Sequence, residues 1–171
     1  MKWIFLSFGH FGKGTGAFCN IGGDVYDEGV MTKDLVGMFD PHLFLKKTTE
    51  RTLSEVVRSV NKTRHDLAIE FHFNAGGGTG AECVVSDKAS MQTRNIAGRL
   101  SRLIADTLGI RDRGVKDSSR TPRGRLAFVD STKCPAIIVE VAFVDCADDM
   151  ARYKAKKTEL AAKIETMLKL L

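Results

Sequence analysis

Hydrophobic and polar positions along the chain follow two alternating periods. The apolar run at residues 3–8 (WIFLSF) is stopped by Gly9, which predicts a buried first strand. Residues 67–74 (LAIEFHFN) alternate with period two: Leu67, Ile69, Phe71 and Phe73 share one face, and Ala68, Glu70, His72 and Asn74 the other. Residues 136–144 (AIIVEVAFV) are apolar almost throughout, as in a strand covered on both faces. Residues 82–85 and 126–129 read as further strands, and residues 41–47 as a short one.

Helical spacing appears between them. Met31, Leu35 and Met38 recur after Asp27, and Leu53, Val56, Val57 and Val60 recur behind a cap at Thr52 or Ser54. Ile96, Leu100, Leu103 and Ile104 mark a long amphipathic helix that Leu108 extends, and Leu160, Ile164, Met167, Leu168 and Leu171 line a closing one. Residues 9–23 and 75–80 are glycine-rich and read as loops, and residues 111–125 (RDRGVKDSSRTPRGR) as a basic surface loop. The sum is an α/β fold: one domain over residues 1–171, with a mainly parallel twisted sheet of about six strands and helices on both faces. No repeat, low-complexity tract or linker interrupts it.

Composition narrows the class. The chain has 171 residues and is 43% hydrophobic, enough for a substantial core, and none of its apolar runs approaches the ~20 residues of a membrane helix. The first eight residues superficially suggest a secretion signal, but the run is short and lacks a small-residue cleavage site. Synthesis in the cytoplasm without a signal peptide is therefore expected. A net charge of +5 favours a polyanionic partner: nucleic acid, an anionic membrane or a bacterial cell wall. Cys19, Cys83, Cys134 and Cys146 form no CxxC pair and read as mostly buried, reduced thiols.

Glu140 stands inside the most apolar run of the chain. A carboxylate buried there needs a cation, a metal or a raised pKa, the last being what proton-transfer chemistry requires; a strand-end ion pair with arginine is the plainer alternative. His72 lies beside Glu70 and Asn74 on a strand whose C-terminal end opens into a glycine-rich loop, the edge where open α/β sheets bind ligands. His10 follows the first strand, so parallel pairing would bring both imidazoles to one rim. Glu28 opens a helix, where an acidic residue also suits the dipole. Two histidines and one glutamate are a ligand set of hydrolytic zinc, although no local HExxH spacing supports it here. His42 and His65, in polar settings, read as surface residues.

These residues resemble the zinc-dependent N-acetylmuramoyl-L-alanine amidases of cell-wall hydrolases and phage endolysins. The likeness runs through Gly9-His10, Glu28, Thr49-Glu50-Arg51 with Asn61, HFNA at residues 72–75, Gly80-Ala81-Glu82, Gly114-Val115-Lys116 and PAIIVEVAFV at residues 135–144. It departs from the usual pattern at Phe11-Gly12-Lys13, at Asp145-Cys146 and at Glu70.

The resemblance implies one catalytic Zn2+ held by His10, Glu28 and His72, with Glu140 as catalytic acid/base. Beside them, Glu70 and Asn74 read as substrate contacts or as partners that orient a ligand, a salt bridge at the strand edge being the alternative for Glu70. The implied substrate is peptidoglycan, cut at the amide between N-acetylmuramic acid and L-alanine, with no nucleic-acid partner and no membrane insertion; oligomeric state is left open. The short chain without a wall-binding module points to a phage or prophage endolysin, reaching the wall through a holin-type lesion. The alternatives are a zinc peptidase or amidohydrolase on a related fold and, from another class, a non-catalytic nucleic-acid or glycan binder using the basic loop.

Overall fold

The structure, a computed structural model, describes residues 3–10, 14–41, 45–46 and 52–171. Strands β1 (Ile4–Phe8), β4 (Leu45–Lys46), β5 (Leu67–Asn74), β6 (Ala81–Val85), β7 (Asp112–Asp117) and β8 (Ala136–Phe143) form one sheet in the order β4-β1-β5-β8-β6-β7. Four of the five ladders are parallel, and β6 runs antiparallel to β8. The expected mainly parallel sheet is thus present, with β5 and β8 at its centre where their apolar sequences belong.

Helices cover both faces. Helices α1 (Glu28–Gly37), α3 (Met91–Leu108) and α5 (Ala147–Lys169) pack Leu35, Leu100, Ile104, Met150 and Ile164 onto the face formed by Leu67, Ile69, Phe71 and Phe73. Each such side chain, once fully buried, contributes about 1.5–3 kcal/mol. On the other face, α2 (Leu53–Lys62) and α4 (Ala127–Ser131) bury Val56, Val60, Phe128 and Val129 against Phe5, Ala68, Ala136 and Ile138. These two helices cover only the end of the sheet where β5 and β8 begin. Towards the C-terminal ends of those strands the same face lines an open cleft.

Several expectations are corrected. The glycine-rich stretch at residues 9–23 contains β2 (Phe18–Ile21), which pairs antiparallel with β3 (Asp24–Asp27). Gly22 and Gly23 have φ of 60° and 93°, the left-handed values that a two-residue hairpin turn demands. Residues 126–129 are not a strand: Leu126 precedes α4, whose first turn is closed by the Asp130 carboxylate accepting from Leu126 N at 2.9 Å. A four-residue apolar run cannot by itself distinguish the two states.

The basic segment at residues 111–125 is only partly loop, because Asp112–Asp117 forms the edge strand β7, held by backbone bonds that its polar side chains do not advertise. His65 is buried, 5% exposed, against the Phe5 ring, with Nε2 2.8 Å from the Thr63 hydroxyl. His42, residues 11–13 and residues 49–51 lie outside the described residues, as does most of the short strand expected near residue 45. All four cysteines are free thiols, Cys83 buried and the other three part-exposed.

Candidate active site

The parallel register of the central strands creates the site. Pairing of β5 with β8 sets His72 opposite Glu140, and pairing of β8 with β6 sets Glu140 opposite Glu82, so the three side chains form one row across the sheet. The neighbouring row is Ser7, Glu70, Ile138, Val84 and Lys116. His10 follows β1 and enters from the side, its ring edge-on to His72 with centroids 5.3 Å apart.

Backbone geometry makes room for the imidazoles. His10 has a φ of 62°, the one positive value outside glycine among the described residues, and such strain commonly persists where function needs it. A Cβ at Gly9 would lie 2.2 Å from His72 Cε1, so residue 9 must lack a side chain. Thr32 Oγ1 donates to Gly9 O at 2.8 Å and ties this turn to α1.

Glu28 is the hub. Its carboxylate is 3% exposed, accepts from Ala17 N at 2.7 Å and Phe73 N at 3.1 Å, and meets His10 Nε2 at 3.2 Å and His72 Nδ1 at 3.0 Å. Burial alone would raise its pKa, but the hydrogen bonds from His10 and His72 hold it well below the usual carboxylate range. His72 is its counterpart: burial opposes its charge, yet hydrogen bonds to Glu28 and Glu70 raise its pKa well above the ordinary histidine value.

One ligand atom from each of His10, Glu28 and His72 lies within 4.8 Å of the others. Two imidazoles and a carboxylate are a donor set that suits zinc, and the two oxygens of Glu28 each face one histidine, Oε2 towards His10 and Oε1 towards His72. Glu70, 3% exposed, accepts Ser7 Oγ at 2.9 Å and contacts His72 Nε2 at 3.0 Å. It lies on a central strand rather than a sheet edge and fixes the ring whose other nitrogen faces Glu28.

Glu140 completes the row. Its Oε2 is buried without a hydrogen-bond partner, and burial, reinforced by the charges of Glu28 and Glu82, pushes its pKa up to about 7. The plainer alternative of an arginine ion pair therefore belongs to its neighbour: Glu82 Oε2 meets Arg113 Nε at 2.5 Å and Lys116 Nζ at 2.6 Å. Asn74, which lines the cleft, donates to Glu82 Oε1 at 3.3 Å and accepts from Ala75 N, so it braces the rim.

Two further supports, Asp145, noted in the sequence only as a departure from the usual pattern, and Asp149, were not read as such from sequence. Asp145 accepts from the amides of Gly76 and Gly77 at 2.7 Å each, and Asp149 accepts from Thr79 Oγ1, Gly80 N and Phe143 N, which pins the glycine loop after His72. Their sequence signal was an acidic cluster opening the last helix, indistinguishable from dipole compensation. The whole cleft is about 730 Å³ and takes in His10, Glu28, His72, Glu140 and Lys116, with Arg120 and Arg123 on its far wall.

The N-acetylmuramoyl-L-alanine amidase family matches the chain over residues 4–169. The chain belongs to that family. Among relatives, it is 26% identical to the N-acetylmuramoyl-L-alanine amidase CwlM of Bacillus licheniformis, over 91% of this chain and 62% of CwlM. It is likewise 26% identical to the endolysin of Bacillus phage SPP1, over 90% of this chain and 59% of that protein. It thus spans about three-fifths of the length of these two relatives. The catalytic domain of CwlV, the amidase of Bacillus (Paenibacillus) polymyxa var. colistinus, superposes with a TM-score of 0.79 at 20% identity, covering 98% of this chain and 96% of that one. That likeness establishes the amidase-type fold for the sheet and helices described above.

Proposed function

We propose that this amidase-family chain hydrolyses the amide between the lactyl group of N-acetylmuramic acid and L-alanine in peptidoglycan, with His10, Glu28 and His72 holding one Zn2+ and Glu140 moving the proton. The observation that carries the reading is the convergence of two imidazoles and a buried, ionised carboxylate beside an unpartnered carboxyl group whose pKa is about 7. Bound zinc would supply Lewis acidity towards the carbonyl and bring water's pKa towards neutrality. Glu140 takes a proton from the attacking water and returns it to the departing nitrogen, and burial, which favours its protonated form, suits it to carry that proton. Oxygen adds to the carbonyl carbon, the C–N bond breaks, and the products are a lactyl carboxylate and a free alanine amine. Glu70 holds His72 by Nε2, which orients the ring and would leave Nδ1, on the Glu28 side, for the metal.

The similarity to a phage endolysin supports action on the bacterial wall, and the net charge of +5 suits an anionic wall surface. No helix among the described residues is long and apolar enough to cross a membrane. Mass spectrometry of purified peptidoglycan after digestion tests the proposal: new alanine amino termini with intact glycan strands are expected. Cleavage between later stem residues would make the protein a peptidase, and new reducing sugar ends a glycosidase.

A further inference from the structure

One wall of the cleft is cationic and takes no part in the metal triad or in proton transfer at Glu140. Of its cations, Lys116 is already spent on Glu82, together with Arg113. Arg120 faces Asp117 only at 3.8 Å, and that carboxylate is engaged by Arg94 at 2.7 Å. Arg123 makes no ion pair among the described residues. Arg120, its side chain 79% exposed, and Arg123, also exposed, therefore line the cleft with unspent donors.

The segment carrying them is built, not loose. Asp130 grips both of its ends, accepting from Ser118 Oγ at 3.1 Å and from Leu126 N at 2.9 Å. Inside it, Thr121 N donates to Ser118 O and Gly124 N to Thr121 O, while Ser119 Oγ reaches Asp87 at 2.9 Å. The arginines thus stand on a closed, hydrogen-bonded turn.

Charge is distributed unequally along the cleft. Glu28, Glu70 and Glu140 crowd the metal end, on α1, β5 and β8; Arg120 and Arg123 follow the edge strand β7 at the other, and Ile138 and Val84 stand on β8 and β6 in the strands between. An anionic group on a substrate is repelled from the first end and attracted to the second, which fixes the direction in which a peptide lies. Lys116, at the foot of this wall, is two strands from Glu140, roughly 10 Å across the sheet. An extended peptide advances about 3.5 Å per residue, so the second residue of a leaving peptide lies about 7 Å beyond the cut, within reach of an arginine side chain from that wall. The apolar strip between suits the alanine.

We infer that Arg120 and Arg123 form a carboxylate subsite, which takes a free carboxylate on the second residue of the leaving peptide and so sets which stem peptides are cut. The inference rests on the amidase function proposed above. It is tested with two synthetic muramoyl dipeptides, identical except that the carboxylate on the residue after alanine is free in one and amidated in the other. The zinc-loaded wild-type protein is expected to favour the free acid at least tenfold in kcat/KM, and the double variant Arg120→Ala/Arg123→Ala to bring that ratio within twofold. Lysine at both positions should restore part of the preference, a rescue that a purely structural role for the turn does not explain.

Equal cleavage of both substrates by wild type, or a preference that survives in the double variant, overturns the subsite while leaving the amidase function standing. Failure of wild type to cut either substrate removes the function itself. A third arm compares intact walls with walls stripped of their phosphate polymers. Loss of activity by the double variant on intact walls alone, with both small substrates cut in an unchanged ratio, assigns the arginines to wall phosphate and overturns the subsite.

Discussion

Replacing Glu140 by glutamine should make the metal-free protein more stable at alkaline pH while destroying its activity. The carboxyl group's pKa is pushed from the ordinary 4.5 to about 7, chiefly by burial. A group that binds its proton more tightly when folded leaves the native state with more protons than the unfolded chain between those two values, so stability falls as pH rises through that window. The full displacement corresponds to roughly 3 kcal/mol as an upper bound, since Glu140 is only part-buried and water screens some of the penalty.

Glutamine keeps the shape and cannot ionise. At pH 5 the two chelator-treated proteins should differ by less than about 1 kcal/mol in urea unfolding. At pH 8.5 the variant should be ahead by up to roughly 3 kcal/mol, about 6–12 °C in Tm for a chain of this size. Zinc-loaded variant should retain its metal but lose 100-fold or more of its peptidoglycan hydrolysis, the usual scale for removing a proton-transfer group. Parallel stability profiles from pH 5 to 9 would refute the desolvated carboxyl, and near-wild-type hydrolysis would refute its role.

Three other outcomes follow from named contacts. Gly9→Ala places a Cβ 2.2 Å from His72 Cε1, so bound metal measured by mass spectrometry should fall sharply while circular dichroism stays native; full metal content would show that the ring relocates freely. Glu70→Gln, which weakens the partner of His72 Nε2, should reduce zinc affinity about 10- to 100-fold in competition with a chromophoric chelator, and unchanged affinity would leave Glu70 as a structural ion pair only. Asp149→Asn removes the charge that accepts from Thr79, Gly80 and Phe143 in a site 1% exposed, and should cost about 2–3 kcal/mol in urea unfolding; a loss below ~0.5 kcal/mol would mean the glycine loop holds itself.

How much was legible before folding varies residue by residue. The alternation at residues 67–74 separated the face of Leu67, Ile69, Phe71 and Phe73 from that of Glu70 and His72, because side chains on a strand must alternate and only one face met the main core. Glu140 announced itself by breaking an apolar run. Strand β7 and the hairpin of β2 and β3 did not, since edge and half-exposed strands are held by backbone bonds that leave little mark on side-chain hydrophobicity. The identity of residues 126–129 as helix was likewise hidden, because four apolar residues fit either period.

Glu28 shows the limit most clearly. In sequence it is an acidic residue in a first helical turn; in the structure it is the carboxylate that joins two histidines at distances near 3 Å. The local pattern determined which residues are buried and on which faces they stand. The convergence of residues 10, 28, 72 and 140, and the placing of Arg120 and Arg123 across the cleft from them, was decided only by strand register and the packing of α1. Periodicity records how each segment meets water, whereas a site depends on which segments meet each other.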